Sequence, residues 1–530
     1  MSTDDIELQA TDSKRSASSV GLESAKHRMP LLRQLSMLLA AVLFVFIVGY
    51  DLAASAVAMP ILGIRFSKLT TINWVVVAYM IPFAALLPSV NKLSAIGGYR
   101  PVLAAFALLQ LAGSAMSGAA GGMPLLLAGR VIAGVGASGT TIITLIAVEE
   151  TGSKGQRMFG FRLLLVAWLA GSIIGFGGGG CIAKWSSWRW VFYFDIPFVA
   201  VALALSVFAI RVTKYQGSKL HMLKSIDALG TVFVAGSVLT LALALNYGGN
   251  LFKWSSGVVI TLLVLAVFLF VVFVFIEVKL ASEPIFPSSM FKTRTSAALL
   301  AIQPFVGIAT FTPVVYLILW YDAVKSQSPK ETGARVLLVA LVALVVALAA
   351  EFVVSVFKRC RPLVYLTTPF MTLGCALLII LNEDTNRNVP IAFMVLLGVG
   401  VGLSLQPHFI MIHGASAAKT MTSVVASVLL LRILGAAVGI ALCNAVLQNN
   451  LTTKLAAVVL QHPLYTPYIL DSVNNSDVMR LPSVPQSVRS AVVEANAHGF
   501  RSIFIACTVF AAVTIPLLVF VQGKRRPQAS

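Results

Sequence analysis

Charge is what this sequence has least of: only 11% of its 530 residues are Asp, Glu, Lys or Arg, 20 of them acidic, while 58% are hydrophobic. Apolar runs of about 20 residues recur along nearly the whole chain, which excludes a soluble core, a monotopic enzyme and a β-barrel of short alternating strands. Five cysteines at 181, 360, 375, 443 and 507 show no CxxC spacing, so neither a disulfide framework nor a zinc site is indicated. No GxxxxGK[ST] loop is present, which removes ATP hydrolysis. No set of His, Cys and acidic residues clusters at membrane depth, as an embedded enzyme needs. The start, MSTDDIELQATDSKRSASS, lacks the apolar core of a cleaved signal peptide, so the first membrane helix acts as the signal.

What is present is an all-α integral membrane pattern of fourteen helices, at 36–60, 73–92, 101–120, 124–148, 159–181, 188–211, 227–246, 256–277, 296–320, 334–357, 363–381, 390–412, 421–446 and 502–522. The net charge of +19 would point to nucleic acid in a soluble protein. Here most Lys and Arg fall close to helix ends on one side, as in Arg211, Lys214, Lys219 and Lys224, then Lys358, Arg359 and Arg361, then Lys524, Arg525 and Arg526. By the positive-inside rule that side is the cytosol and both termini lie there. The expected division is a disordered cytosolic tail over 1–35, a six-helix bundle over 36–211, two inserted helices with linkers over 212–295, a second bundle over 296–522, and a cytosolic tail over 523–530. A long outer loop at 447–501 carries two glycosylation patterns, at Asn450 and Asn474.

The two bundles look related. Arg100-Pro101 is followed after 12 residues by Gly113, and Arg361-Pro362 by Gly374; each next helix holds a Gly-Val-Gly, at 134–136 and 398–400. Internal repeats of this kind accompany a substrate site between halves near mid-membrane, although small residues suit any helix contact.

Within the apolar run 124–148 sits Arg130, and within the first helix sits Asp51. At 1.5 Å per residue the two lie about 13 Å (Asp51) and about 9 Å (Arg130) from the outer end, so they share a depth. Facing each other they cancel their burial cost, and protonating Asp51 would weaken the pair; the alternative is a static pair that only holds helices together. A third intramembrane charge, Arg432, is grouped with them as a proton-coupling candidate, against a local snorkelling role. Glu351 reads as a solvated interfacial acid, and His408 and His413 as hydrogen-bonded or loop histidines. Gly171, Gly175 and Gly179 stand in a glycine-dense helix and serve either close packing or gating. Candidates for lining a mostly apolar solute cavity are Trp74, Tyr79, Gln110, Trp168, Gln303, Tyr316, Trp320, Gln406 and Asn444.

These residues carry a family resemblance. The glycine-dense helix followed by Trp188-Arg189-Trp190-Val191-Phe192 and Pro197 resembles the antiporter signature of the major facilitator superfamily. Gly129-Arg130-Val131-Ile132 with Gly134 and Gly136 resembles its helix 4 motif, whose arginine is implicated in proton transfer. Tyr50-Asp51 with Ala58 and Pro60 resembles the helix 1 motif of the fourteen-helix drug:proton antiporter branch. Trp74 to Tyr79, Asp227 to Gly230, Ala323 to Lys325 with Ser328-Pro329 and Gly333, and Arg432 with Gly435 and Gly439 extend the similarity over about residues 50–451; the second half looks most like fungal members. Departures are Asn91 for the usual Gly and Ala95 for the usual Asp after helix 2, Phe176 for Pro, and Asp195 for Asn. The missing Asp puts in doubt a charge–helix contact that stabilises the outward-open state.

The resemblance implies a major facilitator fold and a secondary active transporter, not an enzyme. It would export organic compounds such as toxins, secondary metabolites or drugs in exchange for protons, using the proton gradient and no cofactor or metal. Expected partners are a small organic substrate, protons and the lipid bilayer, with no nucleic acid and a monomeric state. The expected location is the plasma membrane. Alternatives are proton-coupled uptake or vacuolar-membrane transport of basic amino acids or siderophore-like solutes, and a non-transporting sensor.

Overall fold

In a computed structural model, which describes residues 31–150, 154–210, 227–281, 284–286, 288–357, 359–416 and 421–521, the chain is helical, with no β-strand among the described residues. Helices satisfy every backbone donor and acceptor internally, which is what the interior of a bilayer demands. The first bundle comprises α1 (Leu31–Phe66), α2 (Trp74–Gly97), α3 (Tyr99–Gly118), α4 (Met123–Glu150), α5 (Lys154–Trp185) and α6 (Asp195–Ala209), the last preceded by a short turn of helix, Arg189–Tyr193. Then come α7 (Ala228–Tyr247) and α8 (Gly257–Phe275). The second bundle comprises α9 (Arg294–Ala323), α10 (Pro329–Phe357), α11 (Arg361–Leu378), α12 (Val389–Ser404, resumed as Gln406–Ala415 after Leu405), α13 (Met421–Gln461) and α14 (Gln486–Leu517). The calls on residues 1–30 and 523–530 lie outside the described residues.

Thirteen spans among the described residues are long and apolar enough to cross a membrane. The remaining expected helix, α11, has 18 residues, begins at Arg361, contains Pro369, and packs against α12 and α14. Side-chain caps start several helices: Asp227 accepts from the Gly230 N–H at 2.7 Å, and Thr293 from the Ser296 N–H at 3.2 Å, which satisfies amides that the first turn leaves free.

The repeat seen in the sequence is a repeat of packing. In the first bundle α1 packs on α5 and α6, and α4 on α2 and α3; in the second, α9 packs on α13 and α14, and α12 on α10 and α11. The paired glycines occupy the same contacts. A Cβ on Gly113 would strike the α4 backbone at Ala133, and one on Gly374 the α12 backbone at Leu397. Gly134 faces α2 at Tyr79 as Gly398 faces α10 at Val339, and Gly136 faces α3 at Gln110 as Gly400 faces α11 at Met371. Absence of a side chain lets these backbones touch, which substitutes for a hydrophobic driving force inside lipid. The halves meet reciprocally, through α5 on α10 and α2 on α13, while α7 packs on α8, α13 and α2.

Several boundaries differ from the expectation. Helix α1 begins at Leu31, inside the expected tail 1–35. Helix α1 runs through Pro60 to Phe66 instead of stopping at the proline; a packed neighbourhood tolerates the one lost backbone bond. The expected loop 447–501 is largely helix, since α13 continues to Gln461 and α14 begins at Gln486. Leu447, Leu451, Leu455 and Val458 fall on one face of the α13 extension and are buried, as are Val488, Val492 and Ala495 on α14, so an amphipathic hairpin replaces a loop.

Candidate functional site

The first polar centre joins α1 to α4. Arg130 Nη1 donates to Asp51 Oδ1 at 2.7 Å and to Oδ2 at 2.9 Å, and its Nε donates to the Val75 carbonyl at 3.0 Å. The guanidinium lies over the Tyr79 ring, 4.5 Å from its centroid, and 5.4 Å from that of Phe192. Ser55 Oγ donates to Asp51 Oδ1 at 3.2 Å. Arg130 is 0% and Asp51 1% exposed, so the pair sits in a medium where neither ion is tolerable alone. A second buried carboxyl, Asp195 at the start of α6, accepts from Ser114 at 3.1 Å and interacts electrostatically with both Asp51 and Arg130. It does not bond the guanidinium: Asp195 Oδ1 and Arg130 Nη2 are both buried without a hydrogen-bond partner among the described residues.

The second feature is a cavity of about 130 Å³ between the halves. Its walls are mostly apolar, including Leu52, Phe83, Phe161, Leu165, Phe311 and Phe409, and its polar groups are few: Thr141, Trp168, Thr310, Gln406 and Arg432. A smaller space of about 70 Å³ shares Leu52, Trp168, Thr310, Phe311 and Val401 with it and continues toward Phe176 and Val76. Arg432 donates to Gln303 Oε1 from Nη2 at 2.7 Å and from Nε at 3.2 Å, and to the Ser404 carbonyl at 2.9 Å. Gln303 Nε2 in turn lies 3.2 Å from His408 Nδ1, which assigns the ring proton to Nε2.

Both ends of the cavity are bridged across the halves. At the end where α1 enters, the Glu149 carboxylate on α4 accepts from the backbone N–H groups of Met421 at 2.6 Å and Thr422 at 2.9 Å, the first residues of α13. Arg162 of α5 also pairs there with Glu351 of α10. A carboxylate at a helix N-terminus meets free amides and the positive end of the helix dipole. At the far end α5 and α10 touch backbone to backbone, with Gly180 against Pro329 and Gly333 against Phe176. There Asn73 and Asn444 both donate to Asn246 Oδ1, at 3.0 and 2.9 Å, and Asn444 also donates to the Thr70 carbonyl at 3.1 Å.

The structure thus separates residues that the sequence grouped. Trp168 and Gln406 line the cavity. Trp74 and Tyr79 pack in the first bundle, Tyr79 beneath Arg130. Gln110 accepts from Thr140 at 2.9 Å inside the α3–α4 contact, Tyr316 donates to the Ile440 carbonyl at 2.7 Å, and Trp320 is fully buried. Gln303 stands behind Arg432, and Asn444 belongs to the far-end seal. Asp51 and Arg130 come together, but Arg432 is in the other bundle with its own partners. Gly171, Gly175 and Gly179 face α1 at Phe46, Tyr50 and Ala54, all within the first half; α5 remains one unbroken helix through them. Asn450 lies within the α13 helix, and the Asn474 side chain accepts from Thr70 at 3.1 Å. Glu351, read as a solvated acid, is 8% exposed and paired with Arg162. Glu149 escaped the sequence reading, since an acid at a helix end looks like any interfacial charge. Among the described residues no group of three or more His, Cys, Asp or Glu is placed to hold a metal ion.

Two repeated bundles around a shared cavity, with a buried ion pair beside it, define a multi-pass membrane transporter. The chain belongs to the Major Facilitator Superfamily, which residues 41–440 match. It is 27% identical to the efflux pump aflT of Aspergillus parasiticus, over 88% of this chain and 87% of that protein. It is 26% identical to the efflux pump roqT of Penicillium rubens, over 89% of each. In fold it is similar to a bacterial homologue of the human lysosomal transporter Spinster, in an inward-facing, unoccupied conformation, with a TM-score of 0.60 and 13% identity over 93% of this chain and 97% of that one. A D-xylose–proton symporter gives a TM-score of 0.51 and 12% identity over 86% and 98%.

Proposed function

We propose that this protein exports apolar organic compounds from the cytosol in exchange for protons, by alternating access at the plasma membrane with both termini cytosolic. The observation that carries the reading is that consecutive residues of α1 serve both tasks. Asp51 holds Arg130 and Leu52 forms the cavity wall, so a change in the ion pair is felt at the cavity by one turn of one helix. A proton on Asp51 would remove the charge that holds Arg130. Gain and loss of that proton would alter how tightly α1 and α4 hold each other. The cytosolic end is then the one closed by Glu149 and by Arg162 with Glu351, and the efflux pumps among the relatives support the outward direction.

A growth screen of expressing and non-expressing cells against toxic compounds, with accumulation measured, supplies a cargo. With that cargo in proteoliposomes under an imposed pH gradient, Asp51→Asn, which keeps the side-chain volume and an acceptor for Arg130, is expected to abolish gradient-driven movement, at a stability cost read separately from its melting temperature. Wild-type rates from the variant would sink the coupling role.

A further inference from the structure

The two arms of the cavity occupy matched positions in the two halves. On α1, a Cβ on Gly49 would strike the Trp168 carbonyl of α5; on α9, a Cβ on Gly307 would strike the Arg432 carbonyl of α13. Trp168 stands three residues before Gly171, which packs on α1, and Arg432 three before Gly435, which packs on α9. Both line the same cavity. The repeat thus presents an indole from one side and a guanidinium from the other.

Among the described residues that guanidinium has no counter-ion. It is 4% exposed, and its hydrogen bonds go to an amide oxygen and a backbone carbonyl, both neutral. Among the described residues no acidic one lines the cavity. The Phe409 ring, 5.8 Å from Arg432 Cζ, helps to fix the cation in place. By contrast Arg130, as deeply buried, has Asp51. An isolated buried cation is held at a cost that an incoming anion removes, and a cationic solute would add to it.

We infer that the cavity selects aromatic organic acids, with the anionic group on Arg432 and the ring system against Trp168 and the neighbouring phenylalanines. A carboxylate or phenolate accepts charge-assisted hydrogen bonds from a guanidinium, and the apolar walls take the remainder of the molecule. This deepens the exporter reading and rests on the cavity being where cargo sits.

The test uses full-length protein in lipid nanodiscs and three matched probes: anthracene-2-carboxylate, its methyl ester, and 2-(aminomethyl)anthracene. Binding is followed by the anisotropy of anthracene emission. Wild type is expected to bind the acid at least about tenfold more tightly than the ester or the amine, the scale of one charge-assisted contact. Arg432→Gln should bring the acid down to the ester's affinity and leave the ester within about twofold, and Arg432→Lys should recover part of the preference. Equal binding of acid and ester by wild type overturns the inference, as does a preference that survives Arg432→Gln. If Arg432→Gln fails to fold, the wild-type ratio and Arg432→Lys decide. Gradient-driven export of a cargo without any acid preference would overturn this inference alone; acid-selective binding without gradient-driven movement of any compound would overturn the exporter reading and leave this one standing.

Discussion

The two halves share a skeleton and differ in chemistry. Counting from the matched glycines, the place of Asp51 on α1 is taken on α9 by Ala309, and the place of Arg130 on α4 is taken on α12 by Met394. The first half therefore buries a compensated ion pair just behind the cavity wall, while the second buries at the cavity's edge a cation without an acidic partner among the described residues. Packing is preserved because glycines set it at the helix crossings, and chemistry diverges because Trp168 and Arg432 meet their matched glycines through the backbone, which leaves their side chains free to differ. On the proposed reading, a duplicated fold in this way gives the proton to one half and the cargo to the other.

The strongest way to break this comparison is to remove one member of the pair. Arg130→Ala leaves the buried Asp51 carboxylate with only the Ser55 hydroxyl and is expected to cost about 3–5 kcal/mol, read as a collapse of folded yield in detergent. Replacing the pair by what the second half carries, Asp51→Ala with Arg130→Met, should return much of that stability, since apolar groups of similar volume often substitute for a buried pair. The double variant should still be inert under a pH gradient. If it were as unstable as Arg130→Ala, the equivalence of the two halves at these positions would fail.

A smaller effect tests the far-end contact. Gly180→Leu puts a side chain where the Pro329 carbonyl lies and is expected to drive the far end apart, increasing labelling of a cysteine introduced on α10 near Lys330 several-fold, on the scale of about 1–3 kcal/mol for overpacking. The smallest concerns Glu149. Glu149→Gln weakens an N-terminal contact of α13 by about 1 kcal/mol, which should widen the distance distribution between spin labels on α4 and α13 at that end without preventing folding. An unchanged distribution would remove Glu149 as a latch.

Much of the architecture was legible because hydrophobic length is a direct readout of the bilayer. The Asp51–Arg130 pair was legible because two charges in apolar runs at one depth have few other ways to survive. The cavity was not. Trp74, Tyr79, Gln110, Tyr316 and Asn444 looked like solute-facing groups, yet helices apolar on all sides carry no signal for which face turns inward, and these residues went to the core or to the far-end seal. The latch doubted on account of Ala95 is the instructive case. A carboxylate meets the N-terminus of α13, and it comes from Glu149, 54 positions along the chain from Ala95; only the packing of α4 beside α13 brings the two together.

The hairpin formed by the ends of α13 and α14 reaches over to the first half, where the Asn474 carbonyl takes the Leu69 N–H at 3.4 Å and its side chain takes the Thr70 hydroxyl. On the proposed cycle, opening on that side has to break this strap's two bonds, a toll on release that neither the proton nor the cargo touches. Antibodies or small proteins that grip the strap would then slow the pump from outside while leaving loading intact, a form of inhibition aimed at the exit alone.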